Sequence, residues 1–388
     1  MAELGQYAAL IRQAADHEDE LKAEARNRAG PPPAETRKAQ LERAADRAED
    51  GCTRAAAQCL RPTGTLPATP ETAQKIRELY QLQPGPPLPP RPKKHAVPPV
   101  PDKVVASRIR EARGTSTPGP GGERNGHIRS LLLDTHGLPT LTKWVNFWLM
   151  PSLSAEFRQP WLGCGLVTLD KGGGKPRPIV LQEALLKLVT GSVAQASSDL
   201  LRQAAGSWQR AVYHSGGAPQ LVWELRQSVA AAPHGILAGS DCRNAFGCAH
   251  RAPAVEKADA TCPTFGRLLR NLWEGVDTIV YARTGPDAFD PIRVRDGFVQ
   301  GGCEAAPGFA LTLATAIDRF RRDGRELLKA KNRAHALFKT LAYADDFYIQ
   351  CEAEDWHELN HLLCIRLAEV GLERRPDKSH ALIPADLA

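Results

Sequence analysis

Apolar and polar positions along the chain divide it into a sparse Ala-rich start, a Pro-rich break and a patterned remainder. Before residue 60 a thin stripe of Leu4, Ala8, Ile11 and Ala15 predicts marginal helices, from about Leu4 to Arg28 and about Ala34 to Leu60, interrupted at Gly30-Pro-Pro-Pro33. Thr69-Pro70-Glu71 reads as an N-cap with proline at the first helical position, opening a short helix through Ile76 and Leu79. The tract Pro84-Gly-Pro-Pro-Leu-Pro-Pro-Arg-Pro reads as a semi-extended linker or a proline ligand for a partner. Helical periodicity returns from Ile128 through Trp144 to Leu149, from Glu183 to about Gln203, and around Leu221 to Ala232. Strand-like runs lie at Leu162 to Leu181, split by Gly172-Gly-Gly174, and at Ile236 to Ala238. A helical insert at Cys262 to Gly275 precedes a hairpin from Thr278 to Val294. A Gly-rich turn then feeds a helix through Phe309, Leu313 and Ile317, an apolar hairpin spans Leu337 to Ile349, and a last helix runs from Trp356 to Val370.

With 388 residues, 42% of them hydrophobic, the chain can bury a sizeable core, and no apolar run approaches the roughly 20 residues that span a bilayer. A net charge of +6 favours a polyanionic partner without requiring one. The nine cysteines form no Cys-x-x-Cys pair and nothing at the start resembles a secretory signal, so free thiols in an intracellular setting, nuclear or cytoplasmic, are expected.

Candidate chemistry centres on Tyr343-Ala-Asp-Asp346, at the turn of the apolar hairpin. Adjacent carboxylates between buried strands repel each other, and a divalent cation such as Mg²⁺ or Mn²⁺ removes that cost; the plainer reading is a solvated Asp-Asp turn. Asp241 closes the strand Ile236 to Ala238, where it is either a second ligand or a helix cap. The loop carrying Lys171, Lys175 and Arg177 suits a triphosphate, although a Gly-Gly-Gly hairpin needs no ligand. Gly301 and Gly302, at a helix start, let backbone come close to a flat base.

Five blocks follow in order: Pro176-Arg-Pro-Ile179, Asp241-x-x-Asn-Ala-Phe246, Gln300-Gly301 with Pro307, Tyr343-Ala-Asp-Asp346, and Gly371-Leu372 with Lys378. Together they resemble reverse transcriptases, and more narrowly the RNA-directed DNA polymerases of non-LTR (LINE-like) retrotransposons. Ser116-Thr-Pro-Gly-Pro-Gly-Gly122 is similar to the pre-fingers motif of that group. Gln300 to Pro307 is one residue longer than the family's spacing, and Arg375 stands where the family commonly has Asn.

After the helical extension over 1–82 and the Pro-rich linker over 83–101 that the residue pattern gives, the resemblance implies an α+β right hand with fingers over 102–235 and a palm over 236–388 built on an antiparallel sheet with packed helices. A thumb and an endonuclease domain are expected to be missing, making weak or lost activity the expectation for a fragment. It implies two Mg²⁺ ions, with Mn²⁺ as a substitute, on Asp241, Asp345 and Asp346. Lys378 is the implied proton donor, Lys175 and Arg177 hold triphosphate, Phe246 is the gate against ribonucleotides, and Gln300 and Gly301 line the nucleotide and template pocket. The partners implied are an RNA template, a DNA or RNA primer and dNTPs, with no membrane. The competing readings are an inactive polymerase-derived domain that binds nucleic acid or protein, and an RNA-dependent RNA polymerase.

Overall fold

The structure, a computed structural model, describes residue 45 and residues 64–383 apart from 81–84, 93–95, 113–115 and 286. All of the first helix expected before residue 60, and all but residue 45 of the second, lie outside the described residues. The α+β expectation holds, with helices packed around two four-stranded sheets, one mixed and one antiparallel. In the first helix, α1 (Pro70–Tyr80), the Thr69 hydroxyl accepts the Thr72 N–H at 3.2 Å, and Pro70 stands where no N–H is needed. Next come α2 (Asp102–Glu111) and α3 (Gly137–Phe147), then a hairpin of β1 (Gly163–Asp170) and β2 (Pro176–Leu181). Gly172, Gly173 and Gly174 all take positive φ in its loop, a run that residues with a Cβ would resist.

Helices α4 (Ala184–Ala196), α5 (Ser198–Ala205) and α6 (Gly217–Ala231) lead to β3 (Gly235–Ser240), followed by α7 (Arg251–Thr261) and α8 (Pro263–Trp273). A second hairpin, β4 (Thr278–Arg283) and β5 (Phe289–Val294), precedes α9 (Ala305–Ala330), whose 26 residues span about 39 Å. Then β6 (Phe338–Tyr343), β7 (Asp346–Glu352), α10 (Trp356–Ala368) and β8 (His380–Leu382) complete the described chain.

The first sheet runs β2-β1-β4-β5, with β1 parallel to β4 and both hairpins antiparallel. Alternation gathers Cys164, Val180, Val280, Ile292 and Val294 on one face, where Ala73, Ile76 and Tyr80 of α1 cover them. The second sheet runs β6-β7-β3-β8 and is antiparallel throughout. Ile349 and Cys351 share one of its faces with Phe338 and join the main core with Phe320, Leu359 and Leu363 of α9 and α10. The Phe320 and Phe338 rings meet edge to face at 5.2 Å, and each such fully buried side chain is worth about 1.5–3 kcal/mol over leaving it in water. Asp346 falls on the opposite face, as strand alternation requires.

Several elements differ from the sequence reading. The long helix expected from Ile128 to Leu149 is a helix over Asn125–Ser130, a 3₁₀ turn over Leu131–Leu133, and α3. The bend brings residue 137 against the Leu131 carbonyl oxygen, where a Cβ would collide, so glycine is required there. The helix expected over 183–203 bends at Ser197 into α4 and α5, and β8 had no place in the sequence reading. The β4–β5 hairpin falls within the range 236–388, yet it completes the sheet begun by β1 and β2, so a boundary at 235 does not separate the chain into contiguous units.

The proline tract is also not a free linker, since its described residues are strapped to the core. Arg270, 1% exposed, donates to the carbonyls of Pro89 at 2.8 Å and Pro90 at 3.1 Å, and pairs with Asp259. Arg91 reaches Glu274 and the Pro151 carbonyl, while Leu88 and Val97 pack on the core. Proline carbonyls lack a helix or ladder to satisfy them, so a buried guanidinium can take them up. Replacing Arg270 with Ala leaves Asp259 and two carbonyls without this partner; urea titration is expected to show a loss of about 3–5 kcal/mol.

Candidate active site

Strand register brings the predicted carboxylates together. Ser240 of β3 pairs with Phe347 of β7, and one step further along the same register sets Asp241 opposite Asp346. Asp345 precedes it at the tip of the β6–β7 hairpin, where Ala344 holds a positive φ of 55°. The Asp346 carboxyl is pushed above the usual carboxylate range, first by desolvation and then by the charges of Asp345 and Asp241. Asp241 is fixed from the other side by the returning chain: the Arg375 N–H donates to its carbonyl at 2.9 Å, and Arg243 N–H does the same to Glu373. That return delivers Lys378, whose Nζ lies 3.6 Å from Asp241 Oδ2.

Cations of the β1–β2 loop complete the charge pattern. Lys171 has a lowered pKa, first from partial desolvation and then from Arg177 and Lys378, while Asp345 and Asp241 pull it back up. Arg177 is exposed on β2. Lys175 has an exposed side chain and gives its carbonyl to the Lys171 N–H at 2.9 Å, closing the loop. Lys171, weighed in the sequence only as one of three loop cations, is thus electrostatically tied to the carboxylates.

Phe246, Gln300 and Gly301 are each fixed by contacts of their own. Asn244 enters the left-handed region at φ 43° and donates its amide to the Leu79 carbonyl at 2.8 Å, which starts the short helix Ala245–Cys248. The Phe246 ring, half-buried, stacks on Phe309 of α9 with centroids 4.5 Å apart and planes 16° from parallel. The Gln300 carbonyl accepts the Val180 N–H at 2.7 Å, docking this turn on β2 three residues beyond Arg177. Gly301, at φ 121°, has no room for a Cβ against the Val180 carbonyl, so its close approach is to β2. Beneath it Gln182 donates to the buried Glu304 carboxyl at 2.8 Å, and burial raises the pKa of Glu304.

A residue absent from the sequence reading also meets this site. Gln209, fully buried, bonds both backbone groups of Ala344. A lone glutamine between helices carries no sequence signal for such a role; only its three-dimensional neighbours show it.

The donor set suits a hard divalent cation. At Asp346, desolvation first and then the charges of Asp345 and Asp241 raise the carboxyl, and a cation would relieve both. The three carboxylates do not form a closed cage: among the described residues no group of three or more His, Cys, Asp or Glu is gathered to hold a metal by itself. A scan against models of known protein families finds none that matches this chain, and no curated protein matches it.

Beside Gln182, Glu183 Oε1 accepts the Gly121 N–H at 2.7 Å, tying the Gly-rich segment ahead of α3 to the start of α4. Desolvation first, then a hydrogen bond to the Glu123 carboxyl, push the Glu183 carboxyl up to about 7. A carboxyl raised in the folded state binds its proton more tightly there than in the unfolded chain, so its contribution is complete at acid pH and fades as pH rises through about 7. Urea midpoints are therefore expected to fall across that window, and Glu183→Gln to flatten the fall; an unchanged profile in the variant would refute the assignment.

Proposed function

We propose that this chain is a template-directed nucleotidyltransferase that copies RNA into DNA, as a reverse transcriptase of the non-LTR type. The observation that carries this reading is the meeting of Asp241 with Asp345 and Asp346, from strands distant in sequence, under a loop of cations. On this reading the first sheet and its helices act as fingers, and the second sheet is the palm.

Asp241 and Asp345 would hold two divalent ions, with Asp346 beside them. When bound, such ions lower the pKa of a primer 3′-hydroxyl and offset charge on the departing pyrophosphate. Lys171, Lys175 and Arg177 orient the triphosphate, Arg177 with its planar fork of donors. Lys378, anchored beside Asp241, gives a proton to the pyrophosphate as it leaves. Phe246 is backed by Phe309, so its ring cannot swing away from a sugar placed against it; this favours a deoxyribose over one with a 2′-hydroxyl. The Gln300–Gly301 turn, seated on β2, lines the base side of the same pocket.

The decisive experiment is primer extension by the full chain on poly(rA)·oligo(dT) with Mg²⁺ or Mn²⁺. Weak extension is expected in the wild type, reduced at least about a hundredfold in Asp345→Ala and Asp241→Asn, with RNA binding retained. Phe246→Ala is expected to raise ribonucleotide incorporation relative to deoxynucleotide. Extension insensitive to Asp345→Ala refutes the reading, and RNA binding without any extension assigns the chain to binding alone.

A further inference from the structure

The two carboxylates at the hairpin tip follow a residue held in an unfavourable conformation. Ala344 has φ 55°, a region that is unfavourable for an L-residue with a Cβ and that two-residue hairpin turns usually give to Gly or Asn. Its backbone sets where Asp345 and Asp346 point, because they are the next two residues. At such a tip the ladder between β6 and β7 ends at Tyr343 and Asp346, so the Ala344 N–H and C=O have no strand partner.

Gln209 supplies both partners. Its Nε2 donates to the Ala344 carbonyl at 3.1 Å, and its Oε1 accepts the Ala344 N–H at 2.9 Å. The same oxygen accepts the Ala211 N–H at 3.0 Å, which orients the amide without help from water. The main chain on either side is fastened as well: Trp208 O accepts the Ala342 N–H and Arg210 N–H donates to Ala342 O, both at 2.8 Å. Residues 208–210 thus lie along the outer edge of β6, and Gln209, 0% exposed, reaches past that edge to the tip. Two neutral hydrogen bonds to the same residue offset the strain of the left-handed alanine.

We infer that Gln209 is a positioning residue: it latches the strained Ala344 so that Asp345 and Asp346 meet Asp241 in one fixed geometry. The catalytic consequence rests on the polymerase reading, whereas the latch itself does not. Misplacing a reacting group by about 1 Å can cost about a hundredfold in rate, so the latch falls on turnover more than on nucleotide binding.

The test is Gln209→Met, similar in length but unable to make these bonds, alone and with Ala344→Gly, which removes the cost of positive φ. In Gln209→Met, hydrogen exchange is expected to accelerate at amides 344–347 while α9 stays protected. In primer extension kcat is expected to fall at least about tenfold with the dNTP KM within about threefold, and Ala344→Gly to restore most of that loss. A wild-type exchange pattern at the tip of Gln209→Met overturns the latch. So does a kcat loss that Ala344→Gly leaves untouched in a folded double variant, since that marks Gln209 as packing only. If the wild-type chain extends no primer, the polymerase reading fails, and the exchange measurement still decides the latch.

Discussion

Like charges forced to the end of one sheet are the constraint on which this structure depends. Nothing local draws Asp241 toward Asp346; the β3–β7 register does so, and the register is held because Phe347, Ile349 and Cys351 must face the core. A slip of one residue would turn the apolar set into solvent and the carboxylates inward. The energy that keeps three acids together therefore comes from hydrophobic burial behind them. Around them the fold sets Lys171 and Lys378, which temper the repulsion.

Much of this fold could be read from local pattern. The cap at Thr69, the Gly-rich hairpin of β1 and β2, the strand ending at Asp241 and the apolar hairpin around Asp345 are all short-range signals, and all are present. What local pattern could not give was anything decided by distant partners. The proline tract carries the composition of a linker, and it becomes a strap because Arg270, far along the chain, takes up its carbonyls. β8 has three exposed residues and no periodicity to betray it; it forms because β3 offers an unpaired edge.

The candidate site divides the same way. The acids and the loop lysines stand out by type and spacing. Gly301 reads as a place for a base to approach, but the backbone it admits is that of β2. Gln209 has no spacing or composition to mark it, because its importance lies in the left-handed alanine across from it.

The parallel pairing of β1 with β4 carries a topological consequence. The chain leaves β1, forms β2, passes through α4 to α8 by way of β3, and only then returns to lie beside its starting strand. The strand that leads into Asp241 is thus enclosed within the connection that closes the other sheet. Neither sheet can be completed as a sequence-local module, and bringing such remote strands together carries a large loop-closure entropy. The molecule is built to assemble and come apart as one cooperative body, so damage at the edge of either sheet reaches the acids without touching them.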